Sequence, residues 1–462
     1  MSSSVSWTEE QQKVISLRNR NILVSAAAGS GKTAVLVERI ITMISDKDNP
    51  VDIDKLLVVT FTNAAAAEMS ERISDALEKK VEQDPENMFL RRQVTLVRNA
   101  HICTFHSFCQ SVIRNHFNEI GIDPGFRIGD ETELTLMKND VMDDLFEKHY
   151  EEYAAKKEKA TKNGEKLTAK EQAFVTLIES YSDNKTDEGL RNMVLQLYQF
   201  SMSYPWPEQW LDKNKQAFRL ENLEAMEQSD WMGFLLEYLH QIVEDVKSEN
   251  QKALEICAQP DGPDMYQDAL LDDGEYIDQI AVCKTYEEFS VVLSEHKWAR
   301  LSAKKSDTVD ADKRELVKSL REQIKKSLDN LKKHFFFQNV EQMVSDMQSL
   351  ALPMDALMEL TKEFKREYQK AKEEKRMVDF NDLEHYALAI LLDEKTGNPT
   401  SVAEAYREEF AEILVDEYQD SNEVQETIPA AWCKVRHSFY DNRENAQHKQ
   451  RQENQCPDCI KH

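Results

Sequence analysis

Four short apolar runs stand out along the chain, at 22–24, 56–61, 102–105 and 413–415. Each is continuously apolar rather than alternating, which is typical of strands buried on both faces of a parallel sheet. The first three are each followed by a segment with helical periodicity. This repetition of strand and helix predicts a doubly wound α/β domain.

The alternation stops between 126 and 375, where the chain is rich in Glu, Lys, Leu and Gln with helical periodicity and few breakers. We predict a helical insertion there, inside an α/β domain formed by 1–125 and 376–428. Within it, 304–333 carries ten Lys and Arg against six acids. Such patterning is common on solvated helix faces, and a patch that contacts the DNA backbone is the alternative.

Composition narrows the function classes. A chain of 462 residues is long enough for two or three domains. The net charge of −27 argues against loose, charge-driven coating of nucleic acid, although a local groove can still bind DNA by stacking on bases. The scattered cysteines and the shortness of the apolar runs predict a reduced, cytoplasmic protein without membrane association.

The first candidate for chemistry is SAAAGSGKT at 25–33, which follows a predicted strand and opens a predicted helix. Small residues let backbone N–H groups curl around phosphate oxygens, and the helix N-terminus favours negative charge. Lys32 would meet the β- and γ-phosphates of ATP, and the Thr33 hydroxyl would bind Mg²⁺. A chance Gly/Ala turn is the alternative reading. The predicted nucleotide-binding loop comprises Ala26, Ala27, Ala28, Gly29, Ser30, Gly31, Lys32 and Thr33.

The second candidate is VDEYQD at 415–420, directly after the last apolar run. An acid at the carboxyl end of a parallel strand projects toward the ligand crevice of an α/β sheet. We predict that Asp416 holds Mg²⁺ and that Glu417 orients and deprotonates the attacking water. Acids after apolar strands are common, so this prediction depends on the loop at Lys32.

Five segments in a fixed order carry a family resemblance: WTEEQQ, SAAAGSGKT, VVTFTNAAAAEMSERI, TFHSFC and ILVDEYQDSN. Together they resemble superfamily 1 DNA helicases of the UvrD/RecB type. FRIGDETELTLMKNDVMDDLFEKHYE and SMSYPWPEQWL are closest to the AddA family, the A subunits of bacterial helicase–nuclease complexes. The resemblance covers residues 1 to about 428 and implies a RecA-like P-loop NTPase fold.

The resemblance implies roles for further residues. Gln11 would read adenine, with Trp7 and Thr8 shaping the pocket, and Gln419 would act with Asp420 in coupling nucleotide state to DNA. Two segments would contact single-stranded DNA. Phe61 and Phe105 could instead be core aromatics, and His106 could cap or pack. The implied DNA-binding residues are Thr60, Phe61, Thr62, Asn63, Thr104, Phe105 and His106.

For the whole protein, the resemblance implies ATP-driven 3′ to 5′ movement on DNA, with ATP and Mg²⁺ clamped between two RecA-like domains. The substrates would be single-stranded DNA and duplex ends, in a heterodimer with an AddB-type subunit that repairs double-strand breaks by recombination. Two alternatives stay open: a fragment of a stand-alone UvrD/Rep-like helicase, and a non-catalytic fragment that binds DNA or a partner.

The segment 429–462 departs from the family pattern. We interpret it as an unrelated tail, out of frame or disordered, which would leave the chain truncated after the magnesium-binding motif. Little DNA-stimulated ATPase is then expected from the chain alone, because no arginine from a second domain would reach the γ-phosphate. Its Cys456, Cys459 and His462 lack a second ligand pair at zinc-site spacing, so we do not predict a metal site there.

Overall fold

The computed structural model describes residues 6–25, 30–163, 168–181, 186–304, 308–432 and 460–461. The protein is mostly helical with small parallel sheets, as expected for a P-loop NTPase fold. Among the described residues, no helix is both long and apolar enough to cross a membrane. The helices are α1 (Glu9–Ser16), α2 (Lys32–Ile44), α3 (Asn63–Gln83), α4 (Met88–Leu96), α5 (Phe105–Ile120), α6 (Glu131–Asn163), α7 (Ala169–Tyr181), α8 (Glu188–Ser201), α9 (Pro207–Gln216), α10 (Leu223–Glu227), α11 (Asp230–Cys257), α12 (Gln267–Ala281), α13 (Tyr286–Glu295), α14 (Ala311–Phe335), α15 (Val340–Glu374), α16 (Phe380–Leu391), α17 (Ser401–Glu409) and α18 (Glu423–Ala430).

The strands are short and all pair in parallel. One sheet has three strands in the order β3-β2-β6, with Val59 of the central strand opposite Cys103 and Val415. Three of the four predicted strands are therefore confirmed in one sheet, with bounds that shift by a residue or two. The strands are β1 (Val24–Ser25), β2 (Leu56–Thr60), β3 (His101–Thr104), β4 (Arg127–Ile128), β5 (Met377–Val378), β6 (Glu412–Val415) and β7 (Ile460–Lys461).

The first predicted strand differs from expectation. Only Val24 and Ser25 form β1, and in the described residues they pair with β7 rather than with the three-stranded sheet. The apolar run that suggested a longer strand begins earlier, at Ile22, which instead packs with Trp7 against the cluster of Val14, Ile15 and Val35.

All five residues of the central strand β2 are buried, which explains why its first four residues are apolar. Leu57 and Val59 pack into a cluster with residues of α5 and α16. Leu56 and Val58 pack on the other side, into a cluster with residues of α2 and α3. The strand is thus covered on both faces, which removes the pressure for polar alternation.

A further pair of parallel strands was not predicted. It pairs β4 with β5, with Arg127 opposite Met377 and Ile128 opposite Val378. Strands of only two residues leave no periodic signal in a sequence. The elements named between β4 and β5 are all helices, from α6 to α15.

The chain divides into two compact units. The first comprises 1–152, 193–210 and 361–462 and contains the three-stranded sheet; the second comprises 153–192 and 211–360. Parts of the predicted helical segment (126–375) therefore belong to the first unit. The second unit has a helical core, in which Arg321 forms a bidentate ion pair with Asp273 at 2.5 and 2.9 Å, both fully buried.

The expected boundary after residue 428 falls inside α18. Pro429 lies within that helix, and Ala431 and Trp432 are buried in the same cluster as Ile428. Residues 433–459 and 462, with the cysteines and histidines of the predicted tail, lie outside the described residues.

Candidate functional site

The N-terminus of α2 lies at the first predicted site. Gly31 precedes this helix with φ 83° and ψ 24°, a left-handed conformation that glycine adopts without strain, and no side chain caps the helix. The first-turn N–H groups have no partners within the helix and are positioned for an anion. Lys32 and Thr33, both half-buried, form the first turn. Ala26, Ala27, Ala28 and Gly29 lie outside the described residues.

Gln11 contacts this loop from α1. Its side-chain nitrogen donates a hydrogen bond to the Ser30 carbonyl at 3.3 Å. Its side-chain oxygen accepts from the Thr8 backbone N–H at 3.0 Å, within the capping box that begins α1. Gln11 therefore lies beside the candidate phosphate loop, and both atoms of its side-chain amide form hydrogen bonds with the backbone. Its adenine-reading role stays a prediction.

Asp416 follows β6 at the carboxyl end of the three-stranded sheet. Its backbone N–H donates to the Val59 carbonyl at 3.0 Å, which extends the strand pairing by one residue. Burial raises the pKa of the Asp416 carboxyl, the negative charge of Glu417 raises it further, and Lys32 acts in the opposite direction. The two predicted motifs, far apart in sequence, are thus brought within electrostatic reach of each other.

The backbone at Glu417 is unusual. Its φ of 54° and ψ of 40° place a non-glycine residue in the left-handed region, where backbone strain is often associated with functional sites. The following 3-10 turn (Tyr418–Asp420) brings Gln419 back, so that its side-chain nitrogen donates to the Glu417 carboxylate. Glu417 and Gln419 are exposed beside half-buried Asp416.

A buried ion pair links the elements of this site, and it was not predicted from sequence. Arg39 of α2, 4% exposed, donates to both carboxylate oxygens of Glu412 at 2.5 and 2.9 Å. It also donates to the Val14 carbonyl at the end of α1. One side chain therefore connects the helix of Lys32, the helix of Gln11 and the strand before Asp416. An arginine inside the apolar repeat of α2 is the signal that could have found it.

The predicted DNA segment after β2 forms a helix cap. Thr60 is buried, and its hydroxyl donates to the Thr62 carbonyl at 3.1 Å. The Thr62 hydroxyl in turn accepts the Ala65 N–H at 3.1 Å and begins α3. Phe61 is half-exposed and Asn63 exposed, so both can be reached from solvent.

The segment after β3 is arranged differently. Thr104 is buried and caps α5 through the Ser107 N–H at 3.2 Å. Phe105 is only 5% exposed and packs in the sheet core, as the core alternative describes, and its contact with DNA stays a prediction. His106 is one-third exposed and bonds to the carboxylate of buried Glu384 at 2.9 Å.

One exposed aromatic beside His106 was missed. Phe380, 54% exposed, begins α16, and its ring centroid lies 4.7 Å from that of His106. Asp379 caps this helix in a capping box with Asp382, a pattern legible in the sequence VDFNDL. Position in the helix does not predict exposure, because Phe105 is also the first residue of a capped helix and is buried.

Comparisons with known proteins show the family to which the chain belongs. The model of the UvrD/REP helicase N-terminal domain matches residues 7–439. The chain belongs to this helicase family. A curated protein of Lachnoclostridium phytofermentans, named as the A subunit of an ATP-dependent helicase/nuclease, is 46% identical over 94% of this chain and 31% of its own length. Proteins of the same name from Clostridium beijerinckii and Acetivibrio thermocellus are 44% and 42% identical, over 91% and 93% of the chain and 33% and 34% of their own lengths.

The predicted resemblance to the AddA family is confirmed by these similarities. The chain spans about a third of the length of the curated relatives it matches.

Proposed function

We propose that this helicase-family chain carries the nucleotide-binding and DNA-contacting part of the A subunit of a helicase/nuclease. The observation that carries the proposal is the placement of Asp416, at the carboxyl end of β6, within electrostatic reach of Lys32 at the N-terminus of α2. This is where an α/β fold binds phosphates and the metal that accompanies them.

ATP would bind with its phosphates against the N-terminus of α2. The backbone N–H groups after Gly31 and the ammonium of Lys32 would meet phosphate oxygens. The Thr33 hydroxyl and the Asp416 carboxylate would hold Mg²⁺, which would neutralise charge on the phosphates. Adjacent Asp416 and Glu417, with the pKa of Asp416 raised by burial and by its neighbour, form a donor set that suits a divalent cation.

Within that arrangement, the residues of this chain have separate tasks. Glu417 would accept a proton from the attacking water, and its exposed carboxylate is held by Gln419. Gln11 would hold the phosphate loop in place through its hydrogen bond to the Ser30 carbonyl. Because Gln419 contacts Glu417, a movement of Gln419 on nucleotide binding would also move the carboxylate that acts as the base.

DNA would pass over the surface that exposes Phe61, Asn63, His106 and Phe380. Two aromatic rings and an imidazole suit stacking on unpaired bases, which tolerates any sequence. Stacking also agrees with a chain of net charge −27, for which broad attraction to phosphates is unfavourable. Movement would be 3′ to 5′ along one strand, as the family resemblance implies.

The wider role follows from the relatives alone. They are named as A subunits of a helicase/nuclease, which supports a partner of the AddB type and a task at double-strand breaks. A helical insertion within the α/β domain is part of the same proposal. We expect the protein to be soluble and to work in the cytoplasm.

The decisive experiment measures Mg-dependent binding of a fluorescent ATP analogue to the wild-type chain and to Lys32→Ala. Loss of the ammonium should weaken binding at least about tenfold, since charge-assisted contacts to phosphate contribute about 1.5–3 kcal/mol.

The matched control is Lys47→Ala, which removes an exposed lysine from the loop after α2. It should bind like the wild type. Equal binding by Lys32→Ala and wild type, with unchanged circular dichroism, would sink the proposed site.

A further inference from the structure

Glu384 is a buried carboxylate that the proposed chemistry does not use. It lies on α16, and its side chain is 3% exposed. Burying a carboxylate costs several kcal/mol, on the order of the penalty for any unpaired ion, unless strong hydrogen bonds compensate. Its presence in the core therefore requires specific partners.

Three side chains from two other helices supply those partners. His106 of α5 lies 2.9 Å from one carboxylate oxygen, and the Gln425 amide of α18 donates to the same oxygen at 2.7 Å. The Asn422 amide, at the cap of α18, donates to the other oxygen at 3.0 Å. Glu384 thus joins α5 and α18 through α16.

The two ends of this network lie in different parts of the proposed site. His106 belongs to the surface that would contact DNA, and its ring packs on exposed Phe380. Asn422 caps α18, with Gln425 completing the capping box, and it follows the turn of Tyr418–Asp420 that holds Gln419 against Glu417. A shift of that turn moves Asn422, because a single residue separates Asn422 from the end of the turn.

We propose that Glu384 is a positioning residue that couples nucleotide binding at Asp416 and Glu417 to DNA binding at His106 and Phe380. The coupling rests on the proposed function. Each ligand would bias the same hydrogen-bonded arrangement, so the effect must be reciprocal. All three contacts have normal hydrogen-bond lengths of 3.0 Å or less.

The test is a linkage measurement on the full chain. A fluorescein-labelled oligo(dT) is titrated with protein, and anisotropy gives the DNA affinity with and without saturating Mg²⁺ and a non-hydrolysable ATP analogue. Couplings between sites are typically about 5–150-fold. We expect the wild-type affinity to change at least about fivefold on addition of nucleotide.

Glu384→Gln keeps the side-chain volume but offers one acceptor oxygen and an NH₂ group that opposes the donors around it. We expect the ratio of the DNA affinities measured with and without nucleotide to fall below about twofold. The affinity for the ATP analogue should stay near the wild-type value, because the residue does not touch the nucleotide site. Glu408→Gln, on the exposed face of α17, is the matched control and should keep the wild-type ratio.

Gln425→Met provides a second variant that changes the other end of the network without altering a charge. It should lower the ratio similarly, and the double variant should lose no more than either single one, as expected when two residues act in one network.

The outcomes separate the two proposals. A chain that binds neither ligand contradicts the proposed function. A chain that binds both ligands without linkage, or a Glu384→Gln variant that keeps the wild-type ratio, overturns the coupling alone. Loss of folding in Glu384→Gln with an unchanged ratio in Gln425→Met would assign Glu384 a packing role instead.

Discussion

Gly31 shows how one residue can set the shape of a site. Its left-handed backbone lets the chain turn directly into α2, which begins at Lys32. Among the described residues, a β-carbon there would contact no atom within 4 Å, so crowding by those residues is not what requires glycine. The requirement is conformational, because a side chain disfavours positive φ by about 1–2 kcal/mol.

This separates a stability effect from a binding effect. Gly31→Ala should lower the free energy of unfolding by about 1 kcal/mol and weaken binding of Mg–ATP at least about tenfold, as the loop shifts to relieve strain. Gly397 offers a control, since it is exposed, has φ 65° and likewise has open space around it. Gly397→Ala should show the same loss in urea denaturation with unchanged nucleotide binding. Equal binding by both variants would contradict the role of Gly31.

Individual residues differ in how far sequence could place them. Lys32 and Asp416 were predictable because a loop and a strand end fix their surroundings within a few positions. Phe105 was not, because an aromatic after an apolar strand has the same local signal whether its ring faces the core or the solvent. The network around Glu384 could not be predicted, because its three partners come from other segments of the chain and sequence periodicity carries no information on such contacts.

At the scale of elements, α16 is the helix on which several features depend. It carries Phe380 and Glu384, and it begins at a buried cluster. The ammonium of Lys372, 1% exposed, bonds Asp379 at 3.0 Å and both oxygens of Asp382 at 2.6 and 2.7 Å. It also lies 4.4 Å from the centre of the Tyr368 ring. Lys372 is thus shared by two acids, and Lys138 adds a second positive charge that acts on Asp379.

The two acids respond differently to this environment. Burial raises the pKa of Asp382 to about 6, and Asp379 adds to the shift while Lys372 opposes it. Burial also acts on Asp379, but there Lys372 and the Asp382 N–H outweigh it and the pKa is lowered. Asp382 is therefore the acid that takes up a proton first as the pH falls.

This predicts a pH-dependent cost for Asp382→Asn. The folded-state pKa of about 6 lies above the ordinary 3.8, so the wild-type protein loses stability as pH rises through this interval. The variant lacks that loss. We expect the free energy of unfolding of Asp382→Asn to lie below that of the wild type at pH 4. This difference should shrink by roughly 1–3 kcal/mol between pH 4 and pH 7 in urea denaturation. Asp312→Asn, at an exposed position in α14, controls for simple loss of a carboxylate; a deficit that grows with pH would contradict the assignment.

The elements themselves were largely predictable where burial was continuous. β2 was found because all five of its residues are buried and four of them are apolar. β3 and β6 were found from the apolar residues inside each strand, although His101 and Glu412 are polar. β4 and β5 were missed because two paired residues contribute almost no pattern, and their pairing joins positions on either side of the helices α6 to α15.

For the whole molecule, charge is the dominant property. With 85 acids against 58 basic residues, the chain repels nucleic acid at long range. Binding of single-stranded DNA must then come from a restricted surface, and the exposed aromatic rings around His106 are the candidates.

Salt dependence tests this directly. For single strands, the logarithm of affinity falls with the logarithm of salt concentration with a slope of about −0.7 for each phosphate contacted. We expect a slope no steeper than about −3 for oligo(dT) between about 50 and 300 mM KCl, measured by anisotropy. A steeper slope would indicate an extended phosphate-binding track, for which the basic stretch at 304–333 would be the first candidate for charge-reversal variants.

The register of the central sheet has a consequence for synthesis. β2 pairs with β3 soon after both leave the ribosome, but its other edge waits for β6, whose Val415 lies opposite Val59. At about 5–20 residues per second, the roughly 350 residues between them take about 20–70 s to translate. During that interval a largely apolar strand exposes one row of unpaired N–H and C=O groups. The nascent chain therefore presents a binding edge for chaperones, and slower translation of the helical segment would lengthen its exposure.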